Sequence, residues 1–211
     1  MKGEMMALKI YGVARSRAFR TLWMAKELGL DYEHVKVDFA TGETRTPAHL
    51  ALNPNGQVPV IDDNGFVLWE SMAINLYLAK KYGAGTLYPT RLEDEARAWQ
   101  WSFWGMTEVE RPVLTALFNR AILPEDKRDA AAADDAEKQL AQPLRVLDGA
   151  LERGANLLGE KFTVADLNVA SILSWARPAQ INMSPFPKIA EWLKNCAERP
   201  AARAARQLQR E

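Results

Sequence analysis

The sequence predicts an α/β domain of element order βαβ–ββα followed by an all-α domain. Three observations carry that expectation. Short apolar runs of strand length alternate with segments of helical periodicity up to residue 83. Glycine and proline punctuate the boundaries between them. Every periodic segment beyond residue 91 is helical. A chain of 211 residues fits two modest domains. They are read as residues 1–83 and 92–211, with a linker at 84–91 in and after the stretch Gly83-Ala84-Gly85-Thr86-Leu87-Tyr88-Pro89.

Leu8–Tyr11 reads as the first strand. The helix after it puts Phe19, Leu22 and Trp23 on one face and stops at Gly29. Residues 32–37 alternate as a second strand, and residues 38–52 read as polar and irregular. Residues 58–61 and Phe66–Trp69 form a hairpin around Asp62-Asp63-Asn64-Gly65. Ser71–Tyr82 is a helix with Ile74, Tyr77 and Leu78 at helical spacing, ended by Gly83. In the second domain, residues 93–119 form one long helix that Pro112 should kink by removing a backbone donor. Residues 125–153 follow, with a stripe of Leu140, Leu144, Leu147 and Leu151. Thr163-Val164-Ala165-Asp166 has capping-box spacing ahead of an apolar helix. A cap of this kind is worth roughly 0.5–2 kcal/mol, and Thr163 and Asp166 are read as structural.

Composition narrows the function classes. Lys+Arg and Asp+Glu both number 27, so no net field draws the chain to nucleic acid or an anionic membrane. Arg203, Arg206 and Arg210 are read as a solvated last helix. The lone Cys196 allows no internal disulfide and shares an apolar stripe with Ile189, Trp192 and Leu193. His34 and His49 are too few and too scattered for a metal cluster, so no metal is expected. No run is long and apolar enough to span a bilayer, and Met1-Lys2-Gly3-Glu4 lacks a following leader core, so a cytoplasmic location is expected.

Two short motifs carry the chemistry. Asn53-Pro54-Asn55-Gly56-Gln57-Val58-Pro59 is a turn running into a strand. Pro59 cannot donate to a sheet ladder, so it lies at an edge, at a strand start or in a cis turn. In a cis turn the backbone of Val58 would face outward, free to pair with a peptide-like ligand. Glu70-Ser71 ends the next strand and opens a helix. Ser71 suits an N-cap, helix-start amides bind carboxylates, and Glu70 would hold an ammonium. The pair describes a site for the zwitterionic end of a peptide. In the first loop, Ser16 is read as a helix N-cap whose hydroxyl could also donate to a thiolate, helped by the helix end. Lowering a free thiol from pKa about 8.5 by about two units takes roughly 2.7 kcal/mol, within reach of one charge-assisted hydrogen bond and a helix terminus. No acid or histidine partner is evident for a hydrolase triad, and the loop has no cysteine for disulfide exchange.

On these motifs the chain resembles the soluble glutathione transferase superfamily over nearly its full length. The resemblance implies a thioredoxin-like first domain, with Pro59 as its cis-proline. It implies that Val58 pairs with the cysteinyl unit of glutathione, that Glu70 and Ser71 hold its γ-glutamyl end, and that Gln57 adds a side-chain hydrogen bond. Thr44 and Arg45 align with residues reaching the glycyl carboxylate, although Arg45 could equally be solvent-exposed. Ser16 aligns with the catalytic serine of the phi-like and theta-like groups. Tyr11 is its rival, and Arg15 or Arg17 could add positive potential. His49 falls where relatives often carry a large apolar residue and is read as packing. Val13, Trp104, Glu108, Arg111 and Phe118 are candidates for an electrophile pocket between the domains. The implied function is conjugation of glutathione, as co-substrate, to small hydrophobic electrophiles in detoxification by a homodimer. Peroxidase, isomerase or dehalogenase chemistry on the same site is the alternative, as is a non-catalytic or ligand-carrying module.

Overall fold

The computed structural model describes residues 8–210 and divides into two compact units. Residues 1–7, with the segment Met1-Lys2-Gly3-Glu4 considered above, and Glu211 lie outside the described residues. Unit one joins Met1–Tyr88 to Arg199–Glu211, and unit two is Pro89–Glu198.

In unit one the order is β1 (Leu8–Tyr11), α1 (Ala18–Glu27), β2 (Tyr32–Val35), α2 (Pro47–Leu52), β3 (Val60–Asp63), β4 (Phe66–Trp69) and α3 (Ser71–Tyr82). The sheet runs β2-β1-β3-β4; β1 and β2 are parallel, and the other neighbours antiparallel. This is the expected thioredoxin-like arrangement, and the Val58–Pro59 peptide is cis. Asn64 and Gly65 turn the β3–β4 hairpin, both at positive φ, as a two-residue turn requires. Ile10, Val60 and Ile61 of the sheet and Phe19, Leu22, Trp23, Ile74 and Leu78 of the helices form the core.

Three expectations for this unit need correction. Residues 38–42 are irregular, as expected, but residues 43–52 are not. A 3₁₀ turn (Glu43–Arg45) leads into α2, where Thr46 accepts the amide of His49 and Pro47 opens the helix. Thr-Pro is a helix-start signal in the sequence. β2 stops at Val35 and β3 begins only at Val60. The last residues, read as part of the helical domain, belong to unit one. α9 (Pro200–Gln207) packs on α1 with Ala202 and Ala205 buried, and Arg199 makes a bidentate bond to Glu27 at 2.6 and 2.8 Å. Glu27 also accepts the Trp23 indole N–H at 2.9 Å. The last helix is solvated on one side only.

Unit two is built from helices: α4 (Leu92–Trp104), α5 (Arg111–Leu117), α6 (Ala130–Ala150), α7 (Val164–Leu173) and α8 (Pro187–Glu198). The kink expected at Pro112 takes a particular form. A π-helical segment, Gly105–Glu110, links α4 to α5, with Pro112 in the first turn of α5. Widening the ladder there absorbs the missing proline donor without breaking the helical run. At Gly105 a Cβ would stand 2.9 Å from Ile172 Cδ1, so glycine allows α7 its close approach. α7 is buried along its length, and Cys196 of α8 is buried. No helix of the described residues is long and apolar enough to cross a membrane.

Candidate active site

The register of the sheet in unit one brings three chain segments together. Tyr11 lies opposite Val60, and Val60 lies opposite Trp69. The residues just after β1, just before β3 and just after β4 therefore meet at one end of the sheet. These are the Ser16 loop, the Val58–Pro59 pair and the Glu70-Ser71 pair. Gly12 makes the first junction possible. At φ +128° it lies so close that a Cβ would sit 2.8 Å from the Cβ atoms of both Ala18 and Val58. Only glycine tolerates both the angle and the approach.

Each segment is held from outside. The carbonyl of Asn53 accepts the amide of Gly56 at 2.9 Å. Asn53 Oδ1 accepts the amide of Asn55 at 3.0 Å, and Arg45 Nη1 donates to the carbonyl of Asn55 at 3.3 Å while lying over Gly56. The carbonyl of Gln57 accepts from both His49 Nε2 at 3.0 Å and Asn53 Nδ2 at 2.9 Å. Among the described residues, no hydrogen bond takes the backbone N–H or C=O of Val58. The Gln57 side chain is exposed. Arg45 is exposed beside this loop, whereas Thr44 is buried and turns its side chain away from solvent.

The start of α3 differs from the expected cap. Ser71 is the first residue of the helix, and Glu70 holds the N-cap position with no capping bond from its side chain. Glu70 has φ 74° and ψ 113°. A non-glycine residue in this sparsely populated region stores about 1–3 kcal/mol, and such residues cluster at functional sites. Sequence reading missed this conformation because glutamate carries no signal for it. The first helical bond runs from the amide of Ile74 to the carbonyl of Glu70, so the amides of Ser71, Met72 and Ala73 lie ahead of the ladder. Ser71 Oγ accepts from the buried Arg20 at 3.2 Å, and Asn75 Nδ2 reaches the Arg20 carbonyl at 3.4 Å, so α1 braces α3.

Ser16 also departs from the expectation. α1 begins at Ala18 with Arg17 in the N-cap position. Ser16, half-buried one residue earlier, still accepts the amide of Ala18 at 3.1 Å and donates its proton to the carbonyl of Val13 at 2.7 Å. Arg15 is engaged by Asp38. Tyr11 alternates with Ile10 and shares a sheet face with Lys9; its nearest charges are Lys9, Asp62 and Glu33. Burial raises its phenol above the ordinary range.

Val13 lines a cleft of about 240 Å³ in unit one with Ala14, Arg15, His34 and the C-terminal turn, where Gln209 Nε2 donates to the carbonyl of Ala14 at 3.2 Å. In unit two, Trp104, Glu108 and Arg111 line a groove of about 700 Å³ with Pro112, Gln142 and Pro143. Phe118 is exposed and lines neither.

Residues 6–80 match the model of the glutathione S-transferase N-terminal domain, and residues 110–200 that of the C-terminal domain. The chain is 37% identical to glutathione S-transferase 3 of Zea mays, covering 93% of this chain and 92% of the relative. It is 31% identical to the glutathione S-transferase GstB of Escherichia coli strain K12, over 87% and 89% of the two chains. Among solved structures it resembles the theta class glutathione S-transferase of the citrus canker pathogen Xanthomonas axonopodis pv. citri, determined with glutathione bound, with TM-score 0.89 and 32% identity over 94% and 96%. With both halves matched by the family's own domain models and this likeness running along most of its length, the chain belongs to the glutathione S-transferase family.

Proposed function

We infer that the chain is a glutathione transferase of serine type, which ionises glutathione and directs its thiolate at small hydrophobic electrophiles. One observation carries the reading: an unpaired backbone unit at Val58 and an uncapped helix start at Glu70-Ser71 stand side by side at the end of one sheet. The first suits the peptide edge of the cysteinyl unit. The second suits the γ-glutamyl end, its carboxylate at the Ser71–Ala73 amides and its ammonium at Glu70. Arg45 and the exposed Gln57 are candidates for the glycyl end, and the buried Thr44 serves through the loop it supports. Glutathione is the co-substrate, and the reading needs no metal or further cofactor.

Ser16 is the proposed thiolate donor. Its proton now rests on the Val13 carbonyl, so activation is an exchange of acceptors, from a neutral carbonyl to an anionic sulfur. A charge-assisted bond is about twice as strong as a neutral one, which favours the exchange. The thiol proton leaves to solvent and the sulfur forms its bond to the electrophilic carbon; in a displacement the leaving group departs as an anion with the bonding pair, and in an addition or ring opening the displaced pair is protonated from water. The Val13 cleft and the Trp104–Glu108–Arg111 groove are the candidate surfaces for the electrophile. Exposed aromatics on β4 (Phe66, Trp69) and on α4 (Trp99, Phe103) support a homodimer, which sedimentation would check. Dependence on reduced glutathione supports a cytoplasmic role in clearing electrophiles.

Calorimetric titration with glutathione at neutral pH, beside a panel of aryl halides, enones, epoxides and peroxides, tests the whole reading. Binding with turnover of at least one carbon electrophile is expected. Binding with peroxide reduction alone would move the assignment to a peroxidase, and no binding would end it.

A further inference from the structure

α2 is six residues long, and both its ends are tied. Thr46 Oγ1 accepts the amide of His49 and donates to the carbonyl of Glu43 at 2.9 Å, and the carbonyl of His49 accepts the amide of Asn53 at 2.9 Å. His49 and Asn53 therefore stand four residues apart, on one face. Both side chains converge on the carbonyl of Gln57. A carbonyl only accepts, so His49 Nε2 is the donor of this bond. Nδ1 is buried and has no hydrogen-bond partner among the described residues. An apolar ring would fill this space without burying an unpaired polar atom, so packing alone does not account for the imidazole.

The Gln57 carbonyl and the Val58 amide belong to one planar peptide unit. That unit is trans, since Val58–Pro59 is the cis bond among the described residues. In a trans unit the C=O and N–H point in opposite directions. Two donors on the oxygen therefore set the plane and aim the Val58 N–H away from α2, and they polarise that N–H as a donor. We propose that His49 is a positioning residue for glutathione: with Asn53 it clamps the 57–58 peptide so that the Val58 amide is presented to the ligand's backbone. This rests on the reading that Val58 pairs with glutathione.

The test compares His49→Phe, which keeps a buried ring without a donor, with His49→Gln, whose Nε2 can reach the same carbonyl. His49→Phe should raise KM and Kd for glutathione roughly threefold to tenfold, the loss of about one hydrogen bond. Maximal rate at saturating glutathione, KM for the electrophile and the bound thiol's pKa should stay within about twofold of wild type, or 0.3 of a pH unit. His49→Gln should recover most of the glutathione affinity. In the ligand-free protein, the Val58 amide resonance should move in His49→Phe and return in His49→Gln. Unchanged glutathione KM in His49→Phe overturns the proposal, as does a fall confined to maximal rate. So does failure of His49→Phe to fold, which would mean the imidazole serves the core. Glu70→Ala with Ser71→Ala is the control: if that variant loses glutathione while His49→Phe does not, the clamp falls and the site stands; if neither loses it, the site itself has been misassigned.

Discussion

The starts of α3 and α7 are built from similar residues and do opposite things. Each pairs a carboxylate with a hydroxyl within the first helical turn: Glu70 and Ser71 in one, Thr163 and Asp166 in the other. At α7 the groups satisfy each other. Asp166 Oδ2 accepts the Thr163 amide at 2.9 Å and its hydroxyl at 3.0 Å, closing the box, while Oδ1 accepts the Leu157 amide at 2.8 Å and the Trp192 indole at 3.1 Å. At α3 the carboxylate caps nothing, the hydroxyl is taken by Arg20, and the leading amides precede the ladder on a strained residue. The lesson is that residue type does not separate a closed helix start from an open one. What separates them is whether the polar groups there already have partners.

The comparison is open to attack at both ends, and the largest effect is expected at α7. Asp166→Ala strands three buried donors and one half-buried one, so it should cost about 3–5 kcal/mol in urea unfolding, well above an ordinary cap. Glutathione affinity of the folded fraction should not change. A variant of normal stability and lost turnover would make Asp166 catalytic and erase the contrast. At α3 the reverse is expected. Glu70→Ala with Ser71→Ala should weaken glutathione binding about a hundredfold, or about 2.7 kcal/mol, while costing about 1–2 kcal/mol of stability for the lost Arg20–Ser71 bond, well below the cost of Asp166→Ala. Equal affinity by calorimetry would show that the open amides are not a site.

Ser16 extends the contrast to a hydroxyl that has a partner but can change it. Ser16→Ala should raise the pKa of bound glutathione by about one to two units in thiolate absorbance, because losing a donor destabilises the anion. Glutathione affinity should largely survive. Tyr11→Phe should leave that pKa in place, since its phenol lies among Lys9, Asp62 and Glu33. The opposite pattern would make Tyr11 the donor.

The smallest effect concerns a second buried carboxylate. Burial pushes Asp63 up, but Lys81 at 2.7 Å, Tyr77 at 2.8 Å, Tyr82 and Asn64 outweigh it and hold the carboxyl below the usual range. Among the described residues Asp166 has four donors and no cation, and burial wins there, raising it. A depressed folded pKa means stability present above the unfolded value of about 3.9 and lost as pH falls through the folded one. The advantage of wild type over Asp63→Asn, about 1–2 kcal/mol near neutrality, should therefore shrink below about pH 4. Its advantage over Asp166→Asn should instead grow as pH falls toward that value. Parallel pH profiles for the two would show that the Lys81 cation is not what distinguishes these carboxylates.

Much of this was legible locally. The Asn64-Gly65 turn, the capping box at Thr163 and Asp166, and the strand and helix order of unit one depend on spacings of a few residues, which backbone preferences and hydrogen-bond reach dictate directly. The helix at Pro47–Leu52 was legible too, through Thr46-Pro47, but was outweighed by the polarity around it. Other features depended on partners distant in sequence. That Gly12 lies against Val58, that Arg20 rather than solvent meets Ser71, that His49 reaches back to Gln57 and that α9 packs on α1 are not encoded in any single window. Strand register and helix docking bring those groups within hydrogen-bond distance only after the chain has folded. Local sequence names the polar groups that could meet a ligand; the packed fold decides which of them are already satisfied and which are left open.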